Sequence, residues 1–138
     1  MGLLLMLQAV WGLPQTLAGL VMLCANRRCK RTRHRAAYVT TWKKQQGLSL
    51  GPFIFVPPQS PRQLIVHEYG HTVQSLILGP LYLPLIGLPS VVWACVPALG
   101  RWRRAHHMSY YALPTERWAN ALGEWVCKEP SMGQAFVD

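Results

Sequence analysis

Between Leu3 and Cys24 lie 22 consecutive positions without a charged residue, and between Leu76 and Leu99 another 24. A chain of 138 residues with two such runs must either bury them in a large core or give them to lipid, and it is too short for the large core. Hydrophobic residues make up 51% of it and charged ones only 14%, against about 25% charged in soluble domains. The expected class is therefore a mainly α membrane protein forming one domain over residues 1–138. A pair of independent water-soluble domains and a disordered chain are both excluded.

As a helix the first run would be about 33 Å long, enough for a hydrocarbon core of about 30 Å, and it predicts one transmembrane helix over residues 3–24. Its charges follow the apolar stretch, the reverse of a signal peptide. Gln8 and Gln15, seven residues apart, share a helical face beside Gly12-Leu13-Pro14. That arrangement predicts a kink there and a protein partner for the two amides. Six of the fourteen basic residues fall in the segment 27–35, and the net charge is +9. The positive-inside rule puts this segment in the cytoplasm and the N-terminus outside, with anionic lipid headgroups as its partner in preference to nucleic acid. Cys24, Cys29, Cys95 and Cys127 form no C-x-x-C pair, so they read as small buried or membrane-facing residues in a reducing compartment.

Residues 38–56 alternate between β-branched or aromatic stretches and a turn-like Lys43-Lys44-Gln45-Gln46-Gly47. They predict a β-hairpin whose second strand, around Phe53-Ile54-Phe55, is an edge able to bind an extended peptide. A helix should start after Pro61 and stop at Gly79-Pro80. Beyond it, Pro80, Pro84, Pro89 and Pro97 interrupt the second apolar run. A plain span there would also leave Arg101, Arg103 and Arg104 outside, so residues 62–99 are expected to form a Pro-broken membrane helical hairpin that returns to the cytoplasmic face. Pro114-Thr115 opens a last helix over 114–127.

The chemistry sits in His67-Glu68-Tyr69-Gly70-His71, an H-E-x-x-H that chance would produce in about half a per cent of chains of this composition. Four residues make about one helical turn, so both imidazoles leave one face and can share a metal while Glu68 stands beside a bound water. Three ionisable groups next to an apolar hairpin need a compensating charge, for which a divalent cation is the natural candidate. Zinc requires a third ligand, and Glu116 is the first choice among five acids. It opens the last helix, Ala119 allows close packing, and Asn120 on the same face can accept from the outer nitrogen of a zinc histidine. Glu124, His106 and His107 remain alternatives. Tyr110 or Tyr111 can donate to a developing oxyanion, or the two can simply pack together.

H-E-Y-G-H, followed 45 residues after His71 by E-R-W-A-N, resembles the gluzincin-type zincin metallopeptidases, whose H-E-x-x-H is completed by a glutamate on a downstream helix, often as E-x-x-A-D in membrane-embedded members. Residues 67–90 are also similar to small bacterial membrane proteins with that signature. The resemblance implies His67, His71 and Glu116 as Zn2+ ligands and Glu68 as general base. It implies hydrolysis of a peptide or membrane-protein substrate by a zinc-activated water, in the bacterial plasma membrane with the site facing the cytoplasm. Asn120 stands where the family usually has Asp, which leaves a neutral partner for the histidine. The alternative reading is a non-catalytic membrane adaptor in which a metal with four protein ligands only ties the last helix to the hairpin.

Overall fold

The computed structural model describes residues 2–133. Its elements in order are α1 (Gly2–Trp11), α2 (Leu13–Ala25), β1 (Arg31–His34), β2 (Ala37–Thr41), β3 (Leu48–Leu50), β4 (Phe53–Val56), α3 (Arg62–Leu78), α4 (Leu88–Cys95), α5 (Pro97–Ala105) and α6 (Pro114–Cys127). The molecule is mainly helical with one small four-stranded sheet.

The first apolar run is not the single helix expected over 3–24. It breaks at Gly12 and turns by 104° between α1 and α2. Pro14 in the first turn of α2 has no N–H to continue the ladder from α1. The two amides drive the wrapping. Gln8 donates to the Thr72 carbonyl at 2.9 Å, and Gln15 donates to Ser75 Oγ and to the Gly79 carbonyl, each at 2.8 Å. Their predicted protein partner is therefore the back of α3. No single helix among the described residues is long and apolar enough to cross a membrane, and the outward N-terminus rested on one that did.

The sheet corrects the predicted hairpin over 38–56. Strand order is β1-β2-β4-β3, and β2 and β4, the two expected hairpin arms, pair in parallel, Val39 opposite Ile54. Each has its own antiparallel partner. The basic segment supplies β1, joined to β2 through Arg35 at φ 53°, and Leu48–Leu50 turns back on β4 through Gly51 at φ 61°. Phe53-Ile54-Phe55 is thus interior, and the edge strands are β1 and β3. Side chains of β4 alternate between two cores, as the strand period of two demands. Ile54 and Val56 join Ala37, Val39, Val66, Tyr69 and Cys127, while Phe53 and Phe55 join Trp42 with Met22 and Leu23 of α2. Full burial of Phe55 contributes about 2–3 kcal/mol.

Residues 62–99 begin as expected. α3 follows the extended Pro61 and ends at Gly79, whose φ of 55° favours glycine and whose Cβ would meet the Trp11 indole at 2.4 Å. A 3₁₀ turn and a π turn then lead into α4, and α4 and α5 are bent by 74°. The last helix has the predicted bounds, Pro114–Cys127, and stops where Lys128 turns left-handed ahead of Pro130.

α3 and α6 approach almost backbone to backbone. A Cβ on Gly70 would fall 1.8 Å from the Ala119 carbonyl oxygen, and one on Gly123 would fall 2.2 Å from that of Val66. Gly70→Ala must push the helices apart, and we expect a loss of about 1–3 kcal/mol despite alanine's better helix propensity. Gly100→Ala in α5, whose nearest neighbours are the ends of arginine side chains at 3.6 Å and beyond, is the control and should be neutral or slightly stabilising. Thermal unfolding of the two variants beside the wild type checks both.

Candidate metal centre

The close crossing of α3 and α6 brings Glu116 to the two histidines. Its Oε2 lies 3.1 Å from His67 Nε2 and 3.2 Å from His71 Nε2, and all three side chains are buried. Their ligand atoms lie within 4.8 Å of one another. A tetrahedral ion with bonds of about 2.1 Å separates its ligands by about 3.4 Å. The trio therefore fits one cation.

The outer nitrogens settle the tautomers. His67 Nδ1 faces Asn120 Oδ1 and His71 Nδ1 faces Gln74 Oε1, both at 2.7 Å. Each amide is oriented from behind. Asn120 donates its NH2 to the Met132 carbonyl at 2.7 Å and Gln74 donates to the Thr115 carbonyl at 2.9 Å, so oxygen, not nitrogen, faces each imidazole. Both histidines must then carry hydrogen on Nδ1, and two Nε2 lone pairs converge with a carboxylate oxygen. Three acceptors pointed at one spot demand a positive charge between them, which is the chemical signature of a metal site.

The same demand shows in the protonation of the metal-free groups. Burial alone would raise the Glu116 carboxyl, but the adjacent His67 and His71 imidazoles outweigh it and hold the acid well below the usual carboxylate range. Burial alone would lower His71, but Glu116 raises it well above the ordinary histidine value.

Only one of the Glu116 oxygens faces the imidazoles. Ser90 of α4 donates to the other, Oε1, so a single carboxylate oxygen would be presented to an ion there, and these three ligands would leave a tetrahedral ion one further position. Beside it is a cavity of about 690 Å³ lined by His67, Glu68, His71, Tyr110, Leu88 and Val91. Glu68 is buried on this wall. The Ser49 hydroxyl of β3 donates to its Oε2 at 2.7 Å, and a Cβ on Gly47 would lie 2.0 Å from its Oε1.

Tyr110 and Tyr111 also line this cavity, with their rings edge to face at 5.2 Å. Tyr111 packs edge-on against His67, ring centres 4.9 Å apart. Burial, reinforced by Glu116 and Glu68, pushes both phenols far above their ordinary value, so both keep their protons near neutrality. The alternative ligands lie elsewhere. Glu124 accepts from the Ser131 hydroxyl at 2.7 Å, and His106 is exposed and stacked on Trp102. Among the described residues the group able to hold a metal is His67, His71 and Glu116.

Gln74, Ser90, Ser49 and Gly47 were not singled out from the sequence. Gln74 was within reach, because it follows His71 by three residues on the same helical face. Ser90 and Ser49 come from distant elements and carry no local signal. Compared with family models, curated proteins and solved structures, the chain matches none.

The site predicts about one metal ion per chain in protein purified without chelators, read by elemental mass spectrometry. Glu116→Ala and His71→Ala should each abolish it. Gln74→Ala and Asn120→Ala remove only the orienting oxygens and should weaken affinity by about 10- to 100-fold, measured by competition with a chromophoric chelator.

Proposed function

We propose that this chain is a membrane-embedded zinc metallopeptidase of the gluzincin type, with its site opening toward the cytoplasmic face where its basic residues lie. The observation that supports this reading is the trio of His67, His71 and Glu116, whose outer imidazole nitrogens are held from behind and whose two histidines share one cavity with the buried Glu68 carboxylate. An all-nitrogen and oxygen ligand set with two histidines suits zinc. A zinc ion held there supplies Lewis acidity, bringing a water toward a pKa of about 7 and polarising a carbonyl.

The chain's own groups supply the rest. Glu68 takes the proton of the water on Oε1, the oxygen not held by Ser49, as the water oxygen bonds to the peptide carbonyl carbon. It returns that proton to the amine as the C–N bond breaks. The phenol of Tyr110 or Tyr111, still protonated, donates to the carbonyl oxygen as negative charge develops there. Asn120 orients His67 without adding charge, so His67 is polarised less than it would be by an aspartate. Leu88 and Val91 across the cavity favour apolar residues around the cleaved bond.

In this reading Glu68→Gln keeps the metal and loses the proton acceptor. Cleavage of a hydrophobic peptide library in detergent, followed by mass spectrometry, should fall by about 100-fold or more while metal content stays at the wild-type level. Equal cleavage by wild type and variant would remove the peptidase assignment and leave the metal-stabilised adaptor.

A further inference from the structure

The two bent helix pairs are turned inside out relative to a water-soluble core. Gln8, Gln15 and Thr16 are buried against the body of the protein, while Leu3, Met6, Val10, Leu17 and Val21 are exposed on the outer side of α1 and α2. α4 has no buried residue, and its Leu88, Val91 and Val92 are exposed as well. Apolar surface of this extent marks a membrane or protein contact. The charge around it selects lipid. Exposed Arg27, Arg28 and Lys30 follow α2 directly, and exposed Arg101 and Arg104 lie in α5, so each apolar pair ends in cations suited to anionic headgroups.

Neither pair runs straight: the first is bent by 104° and the second by 74°. At 1.5 Å per residue α1 and α2 measure about 15 and 20 Å, and with the turn between them they reach about 22 Å tip to tip, short of a hydrocarbon core of about 30 Å. Leu83–Cys95 with Pro97–Ala105 reaches about 27 Å, part of which belongs to the arginines of α5. Pairs bent in this way suit a re-entrant path, and the cations that close each one hold that end at the headgroups.

We infer that both bent pairs enter and leave the bilayer through a single leaflet, seated on its anionic headgroups by the arginines at their ends, with every aqueous segment on one side of the membrane. This rests on the membrane part of the proposed function. It goes beyond that proposal by replacing the spanning N-terminal helix and the outward N-terminus with a monotopic seat.

Cysteines at both ends of the described chain test it. A Cβ at Gly2 or at Gly133 has nothing within 4 Å, so Gly2→Cys and Gly133→Cys are accommodated, each in a background where Cys24, Cys29 and Cys95 are Ser and the buried Cys127 is kept. A third variant keeps the native, part-exposed Cys29, which lies between the two pairs, and has Cys24 and Cys95 as Ser. Sealed vesicles of either orientation are treated with a membrane-impermeant maleimide after an alkaline carbonate wash. The expected result is retention in the membrane, with all three cysteines labelled from the same side and all three losing label from the other. Labelling of any one from the side opposite to the others, or of Gly2→Cys only after detergent, overturns the single-leaflet seat while leaving the membrane reading intact. Release by carbonate, or a protein that stays soluble without detergent as an oligomer covering these faces, overturns the seat and the membrane reading together.

Discussion

The Glu116 carboxylate is buried completely, and among the described residues no lysine or arginine pairs with it. Taking an isolated carboxylate out of water costs several kcal/mol even after the protein relaxes. That cost is offset by the two imidazoles on one side and the Ser90 hydroxyl on the other, and the offset exists only if α3 and α6 nearly touch. Gly70 and Gly123 are what let them touch. The metal trio, the amide pair behind it and the cavity in front of it are consequences of a helix crossing set by two missing side chains.

From that crossing the rest of the site follows in layers. α3 carries both histidines and Glu68, so its own position has to be fixed from more than one direction. α6 covers one side, Ser49 of β3 meets it on another, and the amides of Gln8 and Gln15 bind its back. Each contact is a hydrogen bond to a buried polar group, the kind that is costly to leave unmade. A helix surrounded in this way has little freedom to rotate, and the imidazoles inherit its orientation.

The grouping of His67, His71 and Glu116 was more legible in the sequence than the architecture around it. H-E-x-x-H is readable because helical geometry places residues four apart on one face whatever surrounds them. Glu116, Ala119 and Asn120 were readable for the same reason, and so were the bounds of α6, with proline at its start and Glu129-Pro130 after its end. Strand pairing is different, because partners come from anywhere in the chain. β1 was hidden in a charge cluster, and its turn into β2 uses Arg35 in a left-handed conformation where Asn or Gly would have announced a hairpin. The second strand was read as an edge, whereas Gly51-Pro52 ahead of it forms the turn by which β3 folds back to cover it. The kink at Gly12 was legible, but its size was not, since a local breaker says that a helix bends and only the partners of Gln8 and Gln15 say how far.

Those two glutamines also tie the outer surface to the site. In a membrane seat the apolar faces of α1 and α2 are held by lipid, and the amides on their inner faces are held by Thr72, Ser75 and Gly79, the residues that continue α3 beyond His71. Gly79 closes the connection, because its missing side chain makes room for Trp11 at the end of α1. A displacement of α1 and α2 would leave buried amides without partners at about 1–3 kcal/mol each, so these two helices are tied to the helix that carries the histidines. An apolar exterior and a polar interior around the same helix are thus one design. In the proposed seat lipid would cover the apolar surface, and the polar groups, kept from water, hold the histidines in place.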